Sequence, residues 1–154
     1  MDSVYLDTTV PSYYHDSRKE LAPKRLITRE WWHSERPHYQ LFISELVIQE
    51  LQRAVFPHRE AALKLLSEVP ILRMTSKVEE VAAIYLTHHV MPRKDVGDAF
   101  HLAFASCYKI DFLLTWNCRH LANANKVRHI RVMNTKLGLF IPQLVTPEQL
   151  FMES

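Results

Sequence analysis

Short runs of consecutive apolar residues take turns along the chain with longer stretches whose apolar positions recur three and four apart. The first pattern predicts buried strands and the second amphipathic helices. Ser3-Val4-Tyr5-Leu6 predicts a strand ending at Asp7-Thr8-Thr9, and Val10-Pro11-Ser12-Tyr13 a helix start that Thr8 or Thr9 can cap, with Pro11 in the first turn. Residues 23–33 carry Leu26, Ile27, Trp31 and Trp32 at helical spacing before Pro37; residues 39–44 are strand-like. Residues 45–54 predict a helix with Leu46, Val47, Glu50 and Leu51 near one side. A further helix over 59–69 is stopped by Pro70, and a short apolar strand covers 71–74.

The alternation continues. Residues 77–88 repeat the helical pattern through Val78, Val81, Ala82, Tyr85 and Leu86, and a helix over 98–109 is apolar nearly all round and therefore central. A buried strand over 111–115 suits a parallel sheet. A short helix around 119–124 and a strand over 129–133 follow, and Thr146-Pro147-Glu148-Gln149 reads as a capping box with proline at the first helical position. Strands separated by helices predict an α/β domain with a mostly parallel central sheet, and the whole of residues 1–154 fits one domain.

Composition narrows the chemistry. Hydrophobic residues make up 47% and charged residues 23% of 154, as in ordinary globular proteins. Two glycines exclude GxGxxG and Walker-type phosphate loops. No apolar run reaches membrane-spanning length, and no basic region precedes an apolar stretch at the N-terminus. Cys107 and Cys118 form no metal or disulfide framework and read as free thiols of a reducing compartment, so a cytoplasmic protein is expected. The net charge of +2 permits nucleic-acid binding without demanding it.

Three acids lie where an α/β sheet gathers ligands, outside the carboxyl ends of its strands. Asp7 ends the first strand, Glu50 lies on the helix after the second, and Asp98 occupies the first turn of the apolar helix. Carboxylates meeting there repel one another unless a cation sits between them, and hard oxygen donors favour Mg²⁺ or Mn²⁺. Taken singly, Asp7 reads equally as a cap, Asp98 as a first-turn acid complementing the helix dipole, and Glu50 as a solvated surface residue. Their joint placement is the signal.

Four segments in order carry a family resemblance. Val4-Tyr5-Leu6-Asp7-Thr8-Thr9 resembles the opening of PIN domains, especially VapC-type toxins of toxin–antitoxin pairs. The stretch from Ile43-Ser44-Glu45 to Glu50-Leu51 resembles the second motif, Asp98-Ala99-Phe100-His101-Leu102-Ala103 the third, and Leu113-Leu114-Thr115-Trp116-Asn117 the fourth. The resemblance implies a three-layer α/β/α PIN-like fold and a Mg²⁺- or Mn²⁺-dependent endoribonuclease. Homodimers and a small antitoxin partner are typical of such relatives. Carried over by position, Asp7, Glu50 and Asp98 are metal-site carboxylates and, with Asn117, the catalytic set. Thr8 and Thr115 support the site, Thr115 as a polar partner for water or phosphate.

Many relatives carry Asp at the position of Asn117, so this site has one negative charge fewer. That departure keeps a second reading alive, a catalytically impaired PIN-like module binding RNA or a protein partner. Arg93, Lys94 and Arg119 flank the expected cleft and suit RNA phosphate as well as plain solvation. His120 suits phosphate contact, proton transfer or a structural hydrogen bond, whereas His101 reads as a packing residue and Trp31, Trp32 and Trp116 mainly as core. A phosphoryl-transfer enzyme with Asp7 as nucleophile would need a second Asp at position 9, which is Thr.

Overall fold

The computed structural model describes residues 1–53 and 57–152. Five strands, β1 (Ser3–Leu6), β2 (Gln40–Ser44), β3 (Ile71–Leu72), β4 (Phe112–Leu114) and β5 (Gln143–Val145), form one sheet in the order β3-β2-β1-β4-β5. Every neighbouring pair is parallel, with Val4 opposite both Leu41 and Phe112. All four residues of β1 are buried, as a central strand covered on both faces must be. The crossovers are α1 (Thr9–His15) and α2 (Ala22–Ser34), then α3 (Glu45–Arg53) and α4 (Arg59–Leu65), then α5 (Ser76–Thr87) and α6 (Val96–Cys107), and finally α7 (Ala124–Leu137). The expected three-layer α/β/α fold is what the chain adopts.

Local chemistry explains the boundaries. Thr75 caps α5 by accepting the Val78 N–H, and Asn123 caps α7 by accepting that of Lys126. Gly138 ends α7 at φ 66°, a left-handed conformation that costs a residue without Cβ little. Helix α6 buries seven residues from Ala99 to Ser106, so it is central as expected. Trp31 and Trp32 are core residues, and the Trp31 indole donates to the carbonyl of Leu150 at 3.0 Å, tying the C-terminal segment to α2.

Two predicted elements are corrected. Residues 129–133 are not a strand but part of α7, and the fifth strand is Gln143–Val145. The alternation Ile130-Arg131-Val132 suggests period two, yet Val132 is exposed, while Ile130 and Asn134 are buried and Val127 and Leu137 half-buried. That spacing is helical, and the Asn123 cap and Gly138 stop settle it. The short helix around 119–124 is instead a run of turns, with the N–H groups of Leu121 and Ala122 both donating to the Asn117 carbonyl. Smaller differences are boundary shifts: α4 ends at Leu65 and continues as turns toward Pro70, and Pro147–Gln149 is a single 3-10 turn. In that turn Gln149 accepts the Thr146 N–H at 2.9 Å. The predicted end of the 45–54 helix, at Ala54, lies outside the described residues. No helix among the described residues is long and apolar enough to cross a membrane.

Candidate functional site

Parallel strands end on one rim, and the strand order reverses between β1 and β4, the position at which α/β sheets open a crevice. Asp7 is the first residue after β1 and Thr115 the first after β4. The Asp7 carboxylate, 1% exposed, joins these two strand ends. Its Oδ1 accepts the Thr9 N–H at 3.0 Å and the Thr9 hydroxyl at 2.5 Å, and its Oδ2 accepts the Thr115 hydroxyl. Those hydroxyls are held in turn: Thr9 Oγ1 accepts the Trp116 N–H and Thr115 Oγ1 that of Asn117, both at 2.9 Å. Burial pushes the Asp7 carboxyl up, against the pull of His101 and of the Thr115 and Thr9 hydrogen bonds.

Asp98 enters from the first turn of α6. Its Oδ2 accepts the Asn117 side-chain amide at 2.8 Å, while Asn117 Oδ1 accepts the His120 N–H at 3.0 Å. A backbone N–H can only donate, so this second bond fixes which way the amide points. Burial pushes Asp98 up to about 6; the charge of Asp7 adds to it, His101 opposes it, and Asp95 and Glu50 add further. Asp98 therefore lies within electrostatic reach of both Asp7, 91 positions earlier, and Glu50.

Glu50, on α3, is fastened through one oxygen. Oε1 accepts the Thr8 hydroxyl at 2.9 Å and pairs with His101 Nε2 at 2.6 Å. Burial raises this carboxyl, but the His101 hydrogen bond and charge, with the Thr8 hydroxyl, outweigh it and leave Glu50 below its ordinary value. His101 is buried, and its Nδ1 lies 2.7 Å from the Tyr5 hydroxyl, which lies 2.7 Å from Ser44 Oγ. Burial works to lower His101, while the hydrogen bond to Glu50 and the charges of Glu50, Asp7 and Asp98 raise it on balance.

The remaining candidates sit around this core. His120 Nε2 lies 3.2 Å from Asp95 Oδ2, an oxygen with no hydrogen-bond partner among the described residues, and its backbone N–H donates to Asn117. Arg93 and Arg119 are exposed, and among the described residues no hydrogen bond or ion pair engages either guanidinium. Trp116, 4% exposed, donates its indole N–H to Thr28 and stacks on Tyr13, which makes it a packing residue. A cleft of about 460 Å³ lined by Trp32, Arg36, Tyr39 and Val69 lies at the opposite end of β2, away from the acids.

Sequence reasoning missed the support. It takes His101 as packing and Thr9 as a candidate cap, yet His101 is the partner of Glu50 and Thr9 donates to Asp7, and it assigns no site role to Tyr5 or Ser44. No local spacing joins positions 5, 44, 50 and 101; only a buried histidine one turn after a site acid hinted at the link. Among the described residues no group of three or more His, Cys, Asp or Glu side chains is arranged so that it could hold a metal ion as it stands. The donor chemistry nonetheless fits a hard divalent cation. The oxygens are carboxylate, one carboxyl is fully buried, and another is pushed up to about 6 by burial and neighbouring negative charge.

The fold has solved counterparts. The chain superposes on the sarcin–ricin loop cleaving toxin VapC20 of Mycobacterium tuberculosis with TM-score 0.56 and 20% identity, over 71% of this chain and 86% of that one. A toxin–antitoxin complex from Klebsiella pneumoniae gives TM-score 0.60 and 19% identity over 94% and 97%. VapBC-1 of nontypeable Haemophilus influenzae gives 0.58 and 17% over 95% and 98%. No curated protein matches in sequence. At such identities the likeness speaks to fold. The PIN domain model, however, matches residues 4–126, which include every acid of the rim and Asn117, and the chain belongs to the PIN domain family.

Proposed function

We propose that this protein is a metal-dependent endoribonuclease acting as the toxin of a toxin–antitoxin pair. The observation that carries the reading is the crowding of Asp98 by the charges of Asp7 and Glu50, which together with burial pushes its carboxyl up to about 6. Crowding of this kind disfavours the ionised acids in the absence of a cation and favours a bound one. Asp7, Glu50 and Asp98 would hold Mg²⁺ or Mn²⁺, which when bound lowers the pKa of water and offsets charge building on a phosphodiester.

The chain's own residues supply the frame. Thr9 and Thr115 orient Asp7, Asn117 orients Asp98, and Thr8 and His101 orient Glu50. Arg93 and Arg119, uncommitted among the described residues, suit the phosphates of an RNA strand laid across the rim. His120, its Nε2 3.2 Å from Asp95 Oδ2, stands beside these acids as a group for phosphate contact or proton transfer. An antitoxin partner, a homodimer, a single domain over 1–154 and a cytoplasmic setting belong to this reading; the solved toxin–antitoxin complexes of like fold support the first.

The test is cleavage of RNA with Mg²⁺ or Mn²⁺ by the native chain, Asp7→Asn and Asp98→Asn. Loss in both variants is expected, and equal cleavage by all three removes the assignment. One observation favours the second reading, a module that binds RNA or a protein without cutting. Asn117 adds no charge, and its oxygen is already taken by His120. Titration calorimetry with Mn²⁺ separates the two, since that module takes up little or none.

A further inference from the structure

Glu50 is oriented by a chain of groups that burial alone does not require. With the carboxylate ionised, His101 Nε2–H donates to Oε1 at 2.6 Å, the other ring nitrogen, Nδ1, lies 2.7 Å from the Tyr5 hydroxyl, and that hydroxyl lies 2.7 Å from Ser44 Oγ. Thr8 adds a second donor to the same Oε1. Oε2 takes no hydrogen bond from the described residues, and the Glu50 side chain is 33% exposed, so Oε2 is the open oxygen. Against it lies the backbone of Gly97, where an added Cβ would stand 3.2 Å from Oε2 and 3.7 Å from the carboxyl carbon. Gly97 has helical backbone and needs no glycine for its own conformation; what its missing Cβ leaves is room beside Oε2.

Gly97 and His101 are four residues apart on α6, hence on one face of the helix. We propose that they form a clamp on Glu50, positioning residues that commit Oε1 to the protein and present Oε2 alone to a divalent cation. The clamp rests on reading the rim as a metal centre. It forces single-oxygen ligation by Glu50, which suits a small octahedral ion, whereas Ca²⁺ commonly takes both oxygens of a carboxylate. Displacing Oε2 would pull Oε1 from its two donors, so the carboxylate cannot swing clear without loss.

Calorimetric titration with Mn²⁺ and with Ca²⁺, together with thermal unfolding, tests the clamp on the full chain. His101→Asn keeps a partner for Tyr5 but withdraws the donor from Glu50, and Mn²⁺ affinity should fall about 10–100-fold, with a narrower preference over Ca²⁺. His101→Gln, whose amide reaches toward the ring Nε2 position, should recover most of the affinity. Gly97→Ala sets a Cβ 3.2 Å from Oε2, so the carboxylate must give way, and Mn²⁺ affinity should drop while thermal unfolding stays a single cooperative transition. If His101→Asn and Gly97→Ala bind Mn²⁺ as the native chain does, the clamp is wrong and the metal centre stands. If the native chain itself takes up no Mn²⁺, both fall.

Discussion

Asn117 turns its amide nitrogen to Asp98 Oδ2 at 2.8 Å and gives its oxygen to the His120 N–H at 3.0 Å. It is therefore a donor to a carboxylate that is already pressed by Asp7, Asp95 and Glu50. Asn117→Asp would keep the bond from His120 and replace the donor by a further carboxylate oxygen. The metal-free variant is expected to lose about 1–3 kcal/mol of stability in urea unfolding. Mn²⁺ should restore most of it. A loss that Mn²⁺ leaves untouched would count against a cation between Asp98 and its neighbours.

Asp98 also makes stability depend on pH. Its carboxyl holds its proton up to about 6 in the folded, metal-free chain, whereas the unfolded chain releases it near the ordinary Asp value. The folded state binds more protons across that window, so this group's contribution is complete below the unfolded value and is lost as pH rises through about 6. A divalent cation takes the proton's place above it. Mn²⁺ should thus raise the melting temperature clearly at about pH 7.5 and little at about pH 5. Equal shifts at both would refute the exchange.

Asp7 is a fully buried carboxylate whose burial outweighs its hydrogen bonds. Asp7→Asn removes the charge and keeps the shape, and rotation of the Thr9 and Thr115 hydroxyls can meet the new amide. Without metal the variant should melt higher than the native chain, by roughly 2–4 °C for each kcal/mol gained. RNA cleavage and Mn²⁺ uptake should be lost together. A variant that is both less stable and fully active would contradict the placement of Asp7 in the site.

Arg93→Ala and Arg119→Ala probe the outer rim. Neither removes an internal hydrogen bond or ion pair, so unfolding should be unchanged. RNA binding should weaken for every sequence alike, and the slope of log affinity against log salt should flatten by about 1 per arginine. Unchanged slopes would place the RNA elsewhere.

Far from the rim, the Tyr85 hydroxyl donates to Asn134 Oδ1 at 2.6 Å and lies 3.0 Å from Ser106 Oγ, joining α5, α6 and α7. Tyr85→Phe leaves the buried Asn134 oxygen without its donor and should cost about 1–3 kcal/mol by urea unfolding. RNA cleavage by the folded variant should persist. Unaltered stability would show that the bond adds nothing.

Much of the architecture is legible in residue order alone. Apolar runs at Val4–Leu6 and Phe112–Leu114, with helical spacing between them, specify buried parallel strands because such strands have no solvent face to alternate against. Asp7 and Asp98 stand out in the sequence because one follows a strand and the other lies in the first turn of a helix, whereas Glu50, in the second turn of α3, has no such local marker. The failure at residues 129–133 is instructive. Two apolar residues in alternation weigh the same as a strand or a helix face, and the caps Asn123 and Gly138, outside that window, decide it.

What no pattern in the chain contained is the hydrogen-bond frame. Side-chain identity limits who can donate and accept, but partners 51 positions apart, such as His101 and Glu50, are chosen by the crossing of α3 and α6 over the sheet. The orientation of the Asn117 amide is likewise set by a backbone N–H that only the turn after β4 brings within reach. Order along the chain determines which elements form and where their ends fall. Packing determines which atoms then meet, because hydrogen bonds and charge repulsion act over a few ångströms that only the folded sheet supplies.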